Sequence, residues 1–196
     1  MVDLPRHLTD PANRPLPRIV QVGLEMLGVR EAPGAANNPI IMGWAEEIGE
    51  DAIGYRYTGD AVAWCGLAMA VMANRTGRPI PTGPLWALNW SNWQMPVARR
   101  HGLSLKNPLV FEPGLVASLG DVMTYRRPGG GHVGVYIGET PDAHCVLGGN
   151  QGHAMSLTWI EKSRCVAIRR PAYKNPPASV RPWPMSRSGA LSRNEA

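Results

Sequence analysis

A chain of 196 residues with 44% hydrophobic residues and a mean hydropathy of −0.19 suits one ordinary folded domain, which excludes a disordered chain and a pair of generous domains. No apolar run reaches the ~20 residues of a membrane helix, and the longest, residues 61–73, contains Cys65 and Gly66. The formal charge of +5 is uneven: residues 1–161 sum to −2 and residues 162–196 to +7, so a slightly acidic body precedes a basic end, read as a solvated tail rather than a folded nucleic-acid-binding face.

The first 17 residues hold four prolines and read as an extended arm. From Arg18 to Val29, Ile19, Val22, Met26 and Val29 recur at three- and four-residue spacing and predict an amphipathic helix, broken at Glu31-Ala32-Pro33-Gly34. Asn38-Pro39 opens a second helix that offers Ile40, Ile41, Trp44 and Ile48 for burial. Residues 61–74 are apolar nearly all round, which predicts a buried central helix with Thr58 or Asp60 as its cap. Pro84 starts a third helical stretch, with Trp86, Trp90 and Trp93 on one face. Core packing is their simplest use, and stacking on sugars the alternative.

Beyond residue 104 the pattern changes to short strands at Leu115-Val116, Val122 to Tyr125, His132 to Ile137, Cys145 to Leu147 and Cys165 to Ile168, joined by glycine-rich turns. Helices first and strands second predict an α+β domain over residues 18–172. Residues 173–196, rich in Pro, Ser and Arg, are expected to be a flexible tail.

Three cysteines, Cys65, Cys145 and Cys165, make no disulfide framework and suit synthesis in a reducing cytoplasm with at most one working thiol. Residues 1–17 lack the apolar stretch of a secretory signal, so action outside the cytoplasm would need another route of release. His144, Cys145, His153 and Cys165 match no zinc spacing, and neither metal nor cofactor is expected. Cys65, near the start of its helix, is the candidate nucleophile, because a helix N-terminus and a nearby imidazole both favour a thiolate. A small buried core thiol is the plain alternative.

His132 opens an alternating strand in which Val133, Val135 and Ile137 share one face and His132, Gly134 and Tyr136 the other. It is the candidate base. Asn150, after the next strand, is the candidate orienting residue and Gln151 its runner-up. Trp64, Gln151 and Tyr57 complete the set as substrate-binding or oxyanion residues, beside the Cys65 N–H. Glu31 and Asp121 suit substrate amines or, equally, cap and turn roles.

The order Trp64-Cys65-Gly66, Gly120-Asp121-Val122, Gly131-His132-Val133-Gly134-Val135-Tyr136 and a polar residue on the next strand resembles the NlpC-like and CHAP branches of the papain-like cysteine peptidases. Small phage- and prophage-associated members also share the stretches at Leu27 to Gly34 and Leu147 to Gln151. The resemblance covers about residues 18–171. It implies a papain-like fold, with N-terminal helices and a central nucleophile helix packed on a C-terminal antiparallel sheet. It also implies Cys65 as nucleophile, His132 as base and acid, Asn150 as orienter, and cleavage of a peptide or amide bond in bacterial peptidoglycan. Trp-Cys-Gly departs from the Asp-Cys-Ser of many NlpC-like members. The implied partners are a stem peptide or cross-bridge, anionic envelope polymers for the tail, and an immunity or delivery protein, with no nucleic acid and no membrane span. A non-catalytic phage structural or wall-binding module, and a nucleic-acid-associated basic protein, are the competing readings.

Overall fold

A computed structural model describes residues 4–187, 189–192 and 195. Among them, helices α1 (Arg6–Thr9), α2 (Arg18–Glu25), α3 (Pro39–Ile48), α4 (Glu50–Ile53) and α5 (Cys65–Arg75) precede seven strands. These are β1 (Met95–Arg100), β2 (Leu109–Phe111), β3 (Val122–Arg127), β4 (Gly130–Glu139), β5 (Ala143–Gly148), β6 (Ser156–Glu161) and β7 (Cys165–Arg170). They form one sheet in the order β2-β1-β7-β3-β4-β5-β6, with every neighbouring pair antiparallel.

Local chemistry explains the helices. Asn38 caps α3 by accepting from the Ile40 N–H at 2.8 Å, with Pro39 in the first turn and Gly49 at positive φ ending it. Residues Cys65 to Ala73 are all buried, as an all-apolar helix requires. α5 begins four residues later than the hydrophobic run, however, because neither proposed cap is used. The Asp60 carboxylate instead accepts from the N–H groups of Ala32 (2.7 Å) and Asn38 (2.8 Å), tying down the loop between α2 and α3. Cys65 is thereby the first residue of α5, a register the sequence leaves open.

The expected papain-like, α+β arrangement is not clearly shown, and the architecture is a mostly antiparallel seven-stranded sheet with a few helices. The differences are local. The third helical stretch is only a 3-10 turn, Ala87–Asn92, with Trp90 and Trp93 buried and Trp86 71% exposed. β1, β2 and β6 are strands that the sequence does not announce, while Leu115-Val116 is irregular. β1 carries Pro96 and the pair Arg99-Arg100, which hide any alternation, and its pairing with β7 shifts register beside Pro96.

The two ends also differ from expectation. The arm contains α1, and His7 stacks on Trp183 with ring centroids 4.5 Å apart. Within the segment read as a flexible basic tail, Trp183 and Met185 lie on the body: the Glu139 N–H donates to the Trp183 carbonyl (2.9 Å) and the Met185 N–H to the Glu139 carbonyl (2.8 Å). Much of the basic excess is engaged internally. Arg164 pairs with Glu195, Arg170 with Asp121, Arg187 with Asp142 and Lys162 with Glu139, while Arg181 lies over the Trp183 ring. Arg193 lies outside the described residues.

α5 and the strand residues Val133, Val135 and Leu147 belong to one buried cluster, so the central helix is seated beside β4 and β5. The seat is tight at Gly66, where a Cβ would stand 2.7 Å from the Leu85 Cα and collide with the Pro84 carbonyl oxygen. Gly66→Ala must displace backbone, and an unfolding midpoint in urea is expected to report a loss of about 1–3 kcal/mol.

Candidate active site

The Cys65 thiol lies where α5 meets β4. The N–H groups of Val133, Gly66 and Cys65 itself approach the sulfur. Burial pushes the thiol pKa up, and these donors, with the Arg127 charge, pull only part of the way back. At neutral pH the resting group is therefore a thiol, 5% exposed, ringed by donors that favour its anion.

His132 is fully buried and pairs with Tyr125 of β3 across the ladder. Its Nε2 lies 3.1 Å from Gln151 Oε1. The Gln151 amide has no freedom to turn over, because its nitrogen donates to the carbonyls of Ser156 (2.6 Å) and Val146 (3.3 Å). Oε1 is thus an acceptor, Nε2 carries the proton, and Nδ1 keeps its lone pair. Nδ1 is buried with no hydrogen-bond partner among the described residues. Burial holds the imidazole pKa down at about 4, with Gln151 and the Glu195 charge opposing and Arg127 and Arg164 adding to the fall. The site thus offers a neutral thiol and a neutral base of fixed tautomer, Cys65 reaching the backbone of the residue that follows His132. No hydrogen bond joins the thiol to Nδ1 in this structure.

The side chain hydrogen-bonded to the His132 ring is that of Gln151, not of Asn150. Asn150 has φ 56°, a turn conformation, and its Oδ1 is buried without a partner among the described residues. Tyr57 is buried and its hydroxyl donates to the Val62 carbonyl at 2.8 Å, so it aims no proton at the thiol. Trp64 is fully buried, its Nε1 donating to Glu31 Oε1 at 2.8 Å, while Glu31 Oε2 meets His153 Nδ1 at 2.7 Å. Glu31 therefore fixes the residue before Cys65. Asp121 is a buried turn residue paired with Arg170 (2.8 Å) and accepting from the Ser118 N–H.

The stretches Leu27 to Gly34 and Leu147 to Gln151, 120 residues apart in sequence, are stitched together at the site. Gly28 N–H donates to the Met155 carbonyl, Met155 N–H to Val29, Glu31 N–H to His153 and Gln151 N–H to Ala154. Gly149 lies against Trp64 and Ala68, where a Cβ would come within 2.6 Å. A surface groove lined by Leu27, Glu31, Asn38 and Ile40 leads up to this junction.

Cys145 and Cys165 are free and buried on β5 and β7, with thiols pushed up to about 12 by burial. Among the described residues, no three His, Cys, Asp or Glu side chains come together as a metal site, and no helix is long and apolar enough to cross a membrane. No family model matches the chain, and no curated protein or solved structure is significantly similar to it.

Two buried neutral histidines set an acid limit on stability. His132 and His144 have folded pKa values near 4 and 3, against 6.5 when free. Below 6.5 the unfolded chain binds protons that the folded chain refuses, so stability falls as pH drops from 6.5 toward 4. For His132 alone the loss approaches roughly 3 kcal/mol. Urea midpoints are expected to drop through that window, and less steeply in His144→Gln.

Proposed function

We propose that this chain is a cysteine hydrolase of bacterial peptidoglycan, of the NlpC-like or CHAP kind, cleaving a peptide or amide bond through a thioester. The observation that carries the reading is Cys65 at the first residue of α5, its sulfur approached by the N–H of Val133, the residue that follows a His132 whose buried Nδ1 has no partner among the described residues and is held unprotonated by Gln151. A purely structural histidine would be expected to satisfy that nitrogen.

On this reading His132 Nδ1 takes the Cys65 proton as sulfur attacks the amide carbonyl carbon. The N–H groups at the start of α5 stabilise the oxyanion. The tetrahedral adduct collapses, the carbon–nitrogen bond breaks, and His132 returns its proton to the leaving amine. Water, deprotonated by His132, then cleaves the thioester to a carboxylic acid and restores the thiol. Gln151 holds the ring throughout without exchanging a proton. The groove lined by Leu27, Glu31, Asn38 and Ile40 is the surface this reading gives to a stem peptide or cross-bridge. The route to the wall is release by a holin-type pore or a secretion machine, with a delivery or immunity protein as partner.

Digestion of purified peptidoglycan, with products identified by mass spectrometry, tests this reading. New amine termini are expected from the wild-type chain, and their identity names the bond. Binding to the wall without any new terminus would instead support the non-catalytic module.

A further inference from the structure

The hairpin between β3 and β4 anchors a cation at the start of β4. It turns through Pro128 and Gly129, the latter at φ 75°, and sets Arg127 opposite Gly130. Arg127 Nε donates to the Gly131 carbonyl at 3.3 Å. Two residues on, the Val133 N–H approaches the Cys65 sulfur. The Tyr136 N–H donates to the Asp121 carbonyl on the β3 side, so the alternation of an antiparallel strand turns the backbone groups of Gly131 and Val133 to the opposite edge, toward β5. The pairing of β4 with β5 runs from Val135 to Glu139 and stops short of both residues. Cys65 and the Arg127 guanidinium therefore engage neighbouring positions on the same unpaired stretch of β4.

Both candidate groups feel that charge. Burial dominates each of them, but the Arg127 cation pulls the Cys65 thiol down and adds to the fall of the His132 imidazole. The other charged groups facing His132 are Glu195 and Arg164. Tyr57 faces Cys65 as a phenol that burial, with the Asp60 charge, keeps protonated. A fixed cation here favours the thiolate and disfavours the imidazolium. The proton that leaves sulfur is then held weakly by His132 and passes readily to a leaving amine.

We infer that Arg127 is a further functional residue of this site: anchored on the Gly131 carbonyl, its guanidinium supplies the positive field in which the Cys65 sulfur ionises and attacks. The inference rests on the hydrolase reading. Arg127 acts through its charge and exchanges no proton.

Alkylation of Cys65 by iodoacetamide, followed against pH in the full chain and mapped by mass spectrometry, tests this without a substrate. Arg127→Gln moves the alkylation midpoint up by about one pH unit, which leaves about tenfold less thiolate near neutral pH. Arg127→Lys keeps the charge and holds the midpoint near that of the wild-type chain. With a stem peptide as substrate, Arg127→Gln also loses kcat/KM on the acid side at a higher pH than wild type, because His132 takes up a proton more easily once the cation is gone. An arginine that merely closes the hairpin would move neither. An unmoved midpoint in Arg127→Gln whose circular dichroism matches wild type overturns the inference. Arg127→Met, which keeps the apolar stem and drops the charge, takes its place in the same comparison if Arg127→Gln does not fold. If the wild-type chain shows no Cys65-dependent turnover, the hydrolase reading fails, and the alkylation midpoint alone decides whether Arg127 acts on the thiol.

Discussion

Cys65→Ala is expected to reduce release of new amine termini from peptidoglycan by on the order of 10⁴-fold or more, because a unit of nucleophile and base fails as a whole when either is lost. The same variant keeps its fold, since the side chain shrinks by a single sulfur at the edge of the core. Circular dichroism and the urea midpoint check that. Cys145→Ala and Cys165→Ala serve as controls. Their thiols are buried in β5 and β7, pushed up to about 12, and their loss should leave turnover unchanged in folded protein. Equal turnover in wild type and Cys65→Ala would remove the thiol from the reaction.

The second large effect is expected at Gln151, a positioning residue, and its readout is the pH profile. With His132 titrating near 4, activity in the wild-type chain persists to well below the usual histidine range and falls only as the base is protonated. Gln151→Glu puts a carboxylate against Nε2, stabilises the imidazolium, and moves that acid limb upward toward or beyond 6.5. Gln151→Leu keeps the bulk but frees the ring and the tautomer, and should cost between about 10² and 10⁴ in kcat. It also strands the Val146 and Ser156 carbonyls, at roughly 1–3 kcal/mol of stability. Asn150→Gly, at a residue whose φ is 56°, should move neither the limb nor the rate. A limb that stays near 4 in folded Gln151→Glu would show that Gln151 does not act through His132.

How far the sequence disclosed this molecule depended on whether the signal was local. The α2 and α3 periodicities and the alternating strand at His132 each rest on short-range patterning, and they appear as helices and strands. The start of α5 was not legible, because it depends on Asp60 bonding to Ala32 and Asn38 rather than to the helix after it. β1 and β2 have too little alternation to announce themselves. The sheet grew to seven strands because long-range pairing, such as β1 with β7, supplied what propensity did not.

At the candidate site, Cys65, His132 and the two distant glycine-containing stretches are legible as residue types in order, but not that the stretches bond to one another. Nearness to the strand favours Asn150 over Gln151, and nothing in the sequence shows that the turn, with Asn150 at φ 56°, leaves Gln151 bonded to the ring. Composition shows Glu195 only as the one acid in a basic stretch, and its ion pair with Arg164 is a long-range contact that composition does not record.

A thioester on Cys65 is most directly tested by acid-quenched mass spectrometry of the protein during turnover of a stem peptide. A species heavier by the acyl fragment is expected, mapped to the peptide containing Cys65, and absent from Cys65→Ala. Turnover without any such adduct, or an adduct carried by Cys145 or Cys165, would contradict it.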